Sequence, residues 1–132
     1  MFKLTIMSFG YKHGRCPDAN IIYDVRGFKN PYYDEKLRHK CGLDRDVYDY
    51  VFSDCMAESF FSPAVDCARI SIDRAIELGK EGYILAFGCT GGQHRSVAFA
   101  KRAYDYFIGH GYDTELINRD CEKNDDFICT TN

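Results

Sequence analysis

A chain of 132 residues has the length of one domain, at the usual figure of roughly 100–200 residues per core. Its 45% apolar and 15% aromatic content, with ten Tyr and ten Phe, excludes a wholly disordered chain. A net charge of −3 argues against nucleic-acid binding through overall positive charge and leaves room only for a local basic patch. The seven cysteines form no C-x-x-C pair, which argues against a zinc ribbon and a thioredoxin-type motif and leaves no metal-ligand spacing to read. Without a signal peptide, they read as reduced thiols of a cytoplasmic protein, mostly buried as small hydrophobes. The apolar opening Met1–Phe9 is interrupted by Lys3 and ended by Gly10, too short for a membrane span.

Phe2–Phe9 and Asn20–Val25 are rich in β-branched and aromatic residues and are bounded by Gly10 and Gly27, so both are expected as strands. Asp44–Ser53 is expected as a short helix. Ser62-Pro63 then reads as a helix start, Ser as N-cap and Pro at the first position. Val65, Ala68, Ile72, Ala75 and Ile76 follow at helical spacing, up to Gly79 and Gly82. Tyr83–Gly88 is an apolar run suited to a buried central strand. Val97, Ala100, Tyr104, Phe107 and Ile108 mark a further amphipathic helix that stops near Gly109 and Gly111, and Asp113–Asn118 alternates like a final strand. The last three elements form a βαβ unit, for which a right-handed crossover and parallel strands are expected. No linker divides the chain, so residues 1–132 predict one domain, a three-layer α/β sandwich with a mostly parallel central sheet.

The segment Gly88-Cys89-Thr90-Gly91-Gly92-Gln93-His94-Arg95-Ser96 lies between the central strand and its helix. Ligands of open α/β sheets sit beyond the carboxyl ends of the strands, where a helix N-terminus offers unpaired N–H groups. Gly91 and Gly92 allow the backbone to curl into an anion nest. Arg95 adds a cationic fork, His94 a titratable donor, and Thr90 and Ser96 hydroxyls. The turn therefore predicts a phosphate-like anion; an ordinary tight turn with Arg95 paired to a surface carboxylate is the plainer alternative.

Cys89 and Arg95 also fit C-x5-R, the spacing of cysteine-dependent phosphatases, in which a thiolate attacks phosphorus while loop amides and the Arg hold the oxygens. Gly88 stands where those enzymes place His, and no loop clearly supplies a general-acid Asp.

His13 follows the first strand, and Asp24 and Arg26 follow the second. If both strands run parallel to Tyr83–Gly88, these residues gather at the same loop and complete one pocket. Singly, His13 reads as a solvated loop histidine, and Asp24 with Arg26 as an exposed salt bridge contributing about 0–1 kcal/mol.

The strings Ser8-Phe-Gly-Tyr-Lys-His-Gly14, Asp24-Val-Arg26 with Asn30-Pro31, Leu37-Arg38, Cys41-Gly42-Leu43-Asp44 and Gly88-Cys-Thr-Gly-Gly-Gln-His-Arg-Ser-Val97 resemble the C-terminal domain of the RapZ family of bacterial RNase adapters, which includes nucleotide-binding members of the YvcJ type. The resemblance implies a cytoplasmic α/β module that senses glucosamine-6-phosphate, has small regulatory RNA or a ribonuclease as partner, and forms homodimers. It implies that Cys89, Thr90, Gly91, Gly92, Gln93, His94 and Arg95 hold the phosphate while His13, Asp24 and Arg26 line the pocket. Asp24 is then a suitable partner for the cationic amine of an amino sugar. No cofactor is implied, and the role expected is binding rather than catalysis.

The chain departs from the family in three ways. It contains no G-x-x-x-x-G-K-[ST], so the family's N-terminal nucleotide-binding domain is expected to be absent, and Met1 directly before the first strand favours a free-standing protein. Asn118-Arg119-Asp120 replaces a His-Arg pattern. Beyond Glu122-Lys123, where RNA-binding relatives carry a basic tail, Asn124-Asp125-Asp126 follows. From Asp113 to Asn132 six acidic side chains face two basic ones, a balance that repels phosphate backbones. Lys12, Arg119 and Lys123 remain as candidate RNA contacts. Between Gly10 and Arg45 eight Lys/Arg stand against five Asp/Glu, and Tyr32 and Tyr33 are placed to stack on bases.

Overall fold

The computed structural model describes residues 1–128. Four strands among them, β1 (Lys3–Gly10), β2 (Ile21–Asp24), β3 (Gly82–Cys89) and β4 (Thr114–Asn118), form one sheet in the order β2-β3-β1-β4. Every pairing is parallel. The expected α/β sandwich on a parallel sheet is therefore what forms. Gly10 lies opposite Cys89 and Asp24 opposite Gly88, so the carboxyl ends of β1, β2 and β3 meet where the glycine-rich turn begins.

The helices are α1 (Arg45–Phe52), α2 (Cys55–Glu77) and α3 (Arg95–Gly109). The start of α2 corrects the sequence reading. Asp54, not Ser62, is the N-cap and accepts from the Met56 amide at 3.0 Å; Pro63 lies inside the helix. An interior proline costs about 3 kcal/mol. Buried Ala57 on the N-terminal side continues the apolar row of Ala64, Val65, Ala68 and Ile72, so packing carries the helix through the break.

Side chains alternate across a strand. Leu4 and Ile6, with Tyr83, Leu85, Phe87 and Cys89, occupy one face, where all three helices join a single core. Phe99 of α3 is fully buried at its centre, 5.9 Å from Phe87, 5.3 Å from Phe28 and 4.9 Å from Phe52 between ring centroids. The layers are unequal. At its carboxyl end the opposite face is covered by the short 3-10 turn Tyr11–His13, where Tyr11 packs edge-on against Phe9 at 4.8 Å. Anchoring Phe28 on Phe99 fixes the segment that leaves β2 and brings its carbonyls to the start of α3.

Candidate functional site

Backbone crossing sets the shape of the turn. Gly92 has φ +70°, and a Cβ there would lie 2.6 Å from the Gly10 nitrogen; one on Gly10 would lie 2.5 Å from the Gly91 carbonyl carbon. Only glycines allow β1 to pass this close under the turn. The turn's carbonyls are then drawn off one by one. Thr90 O accepts from Lys12 N (3.1 Å), Gly91 O from Asn124 Nδ2 (2.8 Å), Gln93 O from Gly42 N (2.9 Å) and His94 O from Ala98 N (3.0 Å). Among the described residues, the amides of Gly91, Gly92, Gln93, His94 and Arg95 donate to no protein acceptor. The result is a turn with four of its carbonyls occupied and five successive amides open, next to the partial positive charge of a helix N-terminus.

Arg95 is almost wholly buried. Its Nη1 donates to the Arg26 and Phe28 carbonyls, and its Nε is a buried donor without a protein partner. An unpaired charged donor in the interior is costly, which makes this atom an unfilled position for an acceptor. Cys89 is buried beneath the turn. Its thiol donates to Ser96 Oγ at 3.1 Å, and the Ser96 amide donates to Cys89 Sγ at 3.4 Å.

Gln93 and His94 face the segment 38–42. Gln93 Nε2 donates to the Arg38 and Lys40 carbonyls at 3.0 and 2.8 Å, and His94 Nε2 donates to Arg38 O at 2.9 Å. Burial pushes the His94 imidazole below its ordinary pKa, and Arg95 beside it lowers it further. Through its bond to Arg38 O, His94 braces the segment 38–42 against the turn.

A cavity of about 310 Å³ opens at this turn. It is lined by Cys89, Thr90, Gly91, Gln93, His94 and Arg95, by Lys12, by Asn30, Tyr32 and Tyr33, and by Asn124 and Asp126. Gly92, His13, Asp24 and Arg26 are close to the turn but do not line the cavity. Asp24 is held by Arg26, accepting from its backbone N (2.9 Å), Nε (3.0 Å) and Nη2 (2.8 Å), and this guanidinium keeps the carboxyl below the usual range. Arg26 stacks on Tyr11, 3.8 Å from the ring centroid. His13 Nε2 donates to Asn124 Oδ1 at 2.9 Å and so supports the residue that holds Gly91.

Of the candidate RNA contacts, Lys12 faces the cavity. Arg119 and Lys123 are bound to Asp120, at 2.8 Å each. Asp120, Asn124 and Asp126 escaped the sequence reading as site residues. They lie in a stretch without periodicity, and the only signal was the change of charge after Lys123.

Fold and turn define an α/β domain with a strand–turn–helix cavity at the carboxyl edge of a parallel sheet. The chain belongs to the RapZ C-terminal domain family, which it matches over residues 2–122. It is 44% identical over 117 residues to a protein of Deinococcus radiodurans, covering 89% of this chain and 41% of that protein. It is 41% identical over 127 residues to one of Lacticaseibacillus casei, covering 96% and 43%. A third, from Clostridioides difficile, is 38% identical over 117 residues, covering 89% and 41%. All three are named nucleotide-binding proteins, and this chain spans about two fifths of their length. Among the described residues no helix is long and apolar enough to cross a membrane.

Proposed function

We propose that the turn Gly88–Arg95 binds the phosphate of a phosphorylated metabolite, and that the ligand is an amino-sugar phosphate of the glucosamine-6-phosphate type. The observation that carries this reading is the row of amides from Gly91 to Arg95 with no protein acceptor, beside the unpartnered Arg95 Nε. Lys12 supplies a second positive charge at the cavity wall. A volume of about 310 Å³ suits a ligand of monosaccharide size, at the lower end of ordinary small-molecule sites. Asp126 is the one carboxylate among the lining residues and replaces Asp24 as the partner for a sugar ammonium. A phosphate-binding reading also agrees with the names of the relatives.

A Cys89 phosphatase draws less support, because the thiol is engaged by Ser96 and Arg95 is directed to two carbonyls. The regulatory part of the proposal, in which occupancy is passed to a small RNA or a ribonuclease through a homodimer in the cytoplasm, rests on family resemblance.

Calorimetry with glucosamine-6-phosphate, glucosamine and inorganic phosphate tests the reading. The sugar phosphate is expected to bind tightest, and Asp126→Asn to bring it closer to an uncharged hexose phosphate. Equal affinity for glucosamine and glucosamine-6-phosphate would remove the anion site. Phosphate release from p-nitrophenyl phosphate, lost in Cys89→Ser, would replace binding with catalysis.

A further inference from the structure

A second cavity, of about 410 Å³, is lined by Leu43 and Asp44 and by two thiols, Cys41 and Cys121. Cys121 is buried, and Cys41 is half-buried. The Leu43 amide donates to Cys41 Sγ at 3.4 Å, an arrangement that favours a thiolate on Cys41. Consistent with this, the Cys41 thiol lies below its ordinary pKa and the Cys121 thiol above it, each chiefly through its interaction with the other. The two cysteines come from distant parts of the chain, and both are joined to the ligand turn. Gly42, next to Cys41, donates to Gln93 O; Asp120 and Asn124, on either side of Cys121, hold Gly10 N and Gly91 O.

We propose that Cys41 and Cys121 form a reversible intramolecular disulfide, a modification site that staples together the two segments clamping the anion turn. The oxidant is a low-molecular-weight disulfide. The Cys41 thiolate attacks one of its sulfurs, giving a mixed disulfide and releasing one thiolate. Cys121 then loses its proton and attacks the Cys41 sulfur, releasing the second thiolate. Two protein thiols lose two electrons, and the oxidant is reduced to two thiols. A reducible pair of this kind is the form disulfides take in reducing compartments, where permanent ones are rare. The bond is independent of the phosphate reading.

The test uses the full chain, incubated at low micromolar concentration with oxidised glutathione and digested with trypsin without reduction. Cys41–Arg45 and Asp120–Lys123 are each expected as single-cysteine peptides and should appear joined. Closing a loop of about 80 residues should raise the melting midpoint by roughly 10 °C, reversed by dithiothreitol. Cys41→Ser and Cys121→Ser should each abolish both the joined peptide and the rise, with melting of the reduced variants showing that they fold. The proposal is overturned if exposed Cys16, Cys55 and Cys67 become glutathionylated while the two peptides stay separate, or if they join only in denatured protein.

Discussion

Asp120 is fully buried and its carboxylate accepts from the Gly10 amide at 2.7 Å, at the point where β1 passes beneath the turn. Arg119 Nη2 and Lys123 Nζ donate to the same carboxylate at 2.8 Å each. These donors outweigh the cost of burial and hold the Asp120 pKa down at about 2. The next turn of chain reaches the same crossing through Asn124, which grips Gly91. An acidic stretch that looks like a repulsive tail is thus a brace for the anion turn.

Asp120 should therefore show in acid unfolding. Its folded pKa lies below that of an unfolded Asp, so its contribution, about 2 kcal/mol, is complete above roughly pH 4 and drains away as the pH falls through about 2. Asp120→Asn is expected to lose a similar amount at pH 7 and to flatten this part of the profile. Denaturant midpoints measured from pH 5 to pH 2 check both; parallel curves for the two proteins would refute the role of Asp120.

His94 gives a separate pH signature. Its folded pKa is lowered, so the unfolded chain takes up a proton first as the pH drops through the ordinary histidine value near 6.5. Stability from neutral His94 is present above that value and is lost as the pH falls through the folded pKa. Unfolding free energies at pH 7.5 and pH 5 should differ more for the parent protein than for His94→Gln.

The close approach of β1 and the turn predicts unequal costs for two glycines of positive φ. Gly79→Ala meets open space and should cost about 1–2 kcal/mol for its backbone conformation alone. Gly92→Ala adds a collision with the Gly10 backbone, so it should be the more destabilised in thermal melting and should bind no phosphate. Equal melting midpoints would mean that the crossing tolerates a methyl group.

Lys12 lines the cavity from an exposed position, and its side chain has no protein partner among the described residues. Lys12→Ala should leave the melting midpoint within about 1 °C and weaken sugar-phosphate binding roughly tenfold, an effect that shrinks with added salt. Calorimetry at low and high ionic strength reads both.

The strand–turn–helix from Tyr83 to Ile108 was legible because an apolar run, two glycines and a helical period follow one another without interruption. The parallel sheet followed from the same βαβ logic. Asp24 and Arg26 were expected in the pocket because their strand ends there, which it does. Two positions apart, however, they satisfy each other, as the plainer salt-bridge alternative had it. The start of α2 was hidden because a Ser-Pro pair imitates an N-terminus, while Asp54 carries the same chemistry eight residues earlier. Asn124 and Asp126 belong to a turn-rich stretch whose place is set by long-range hydrogen bonds to Gly91, His13 and His39, which no local pattern encodes.

An amide-resolved nuclear magnetic resonance titration of the ¹⁵N-labelled chain with glucosamine-6-phosphate addresses the central claim most directly. Saturable shifts are expected on Gly91, Gly92, Gln93, His94 and Arg95, including the Arg95 Nε–H, with glucosamine alone leaving them in place. Shifts confined to other surfaces, with these amides unmoved at saturation, would contradict that claim.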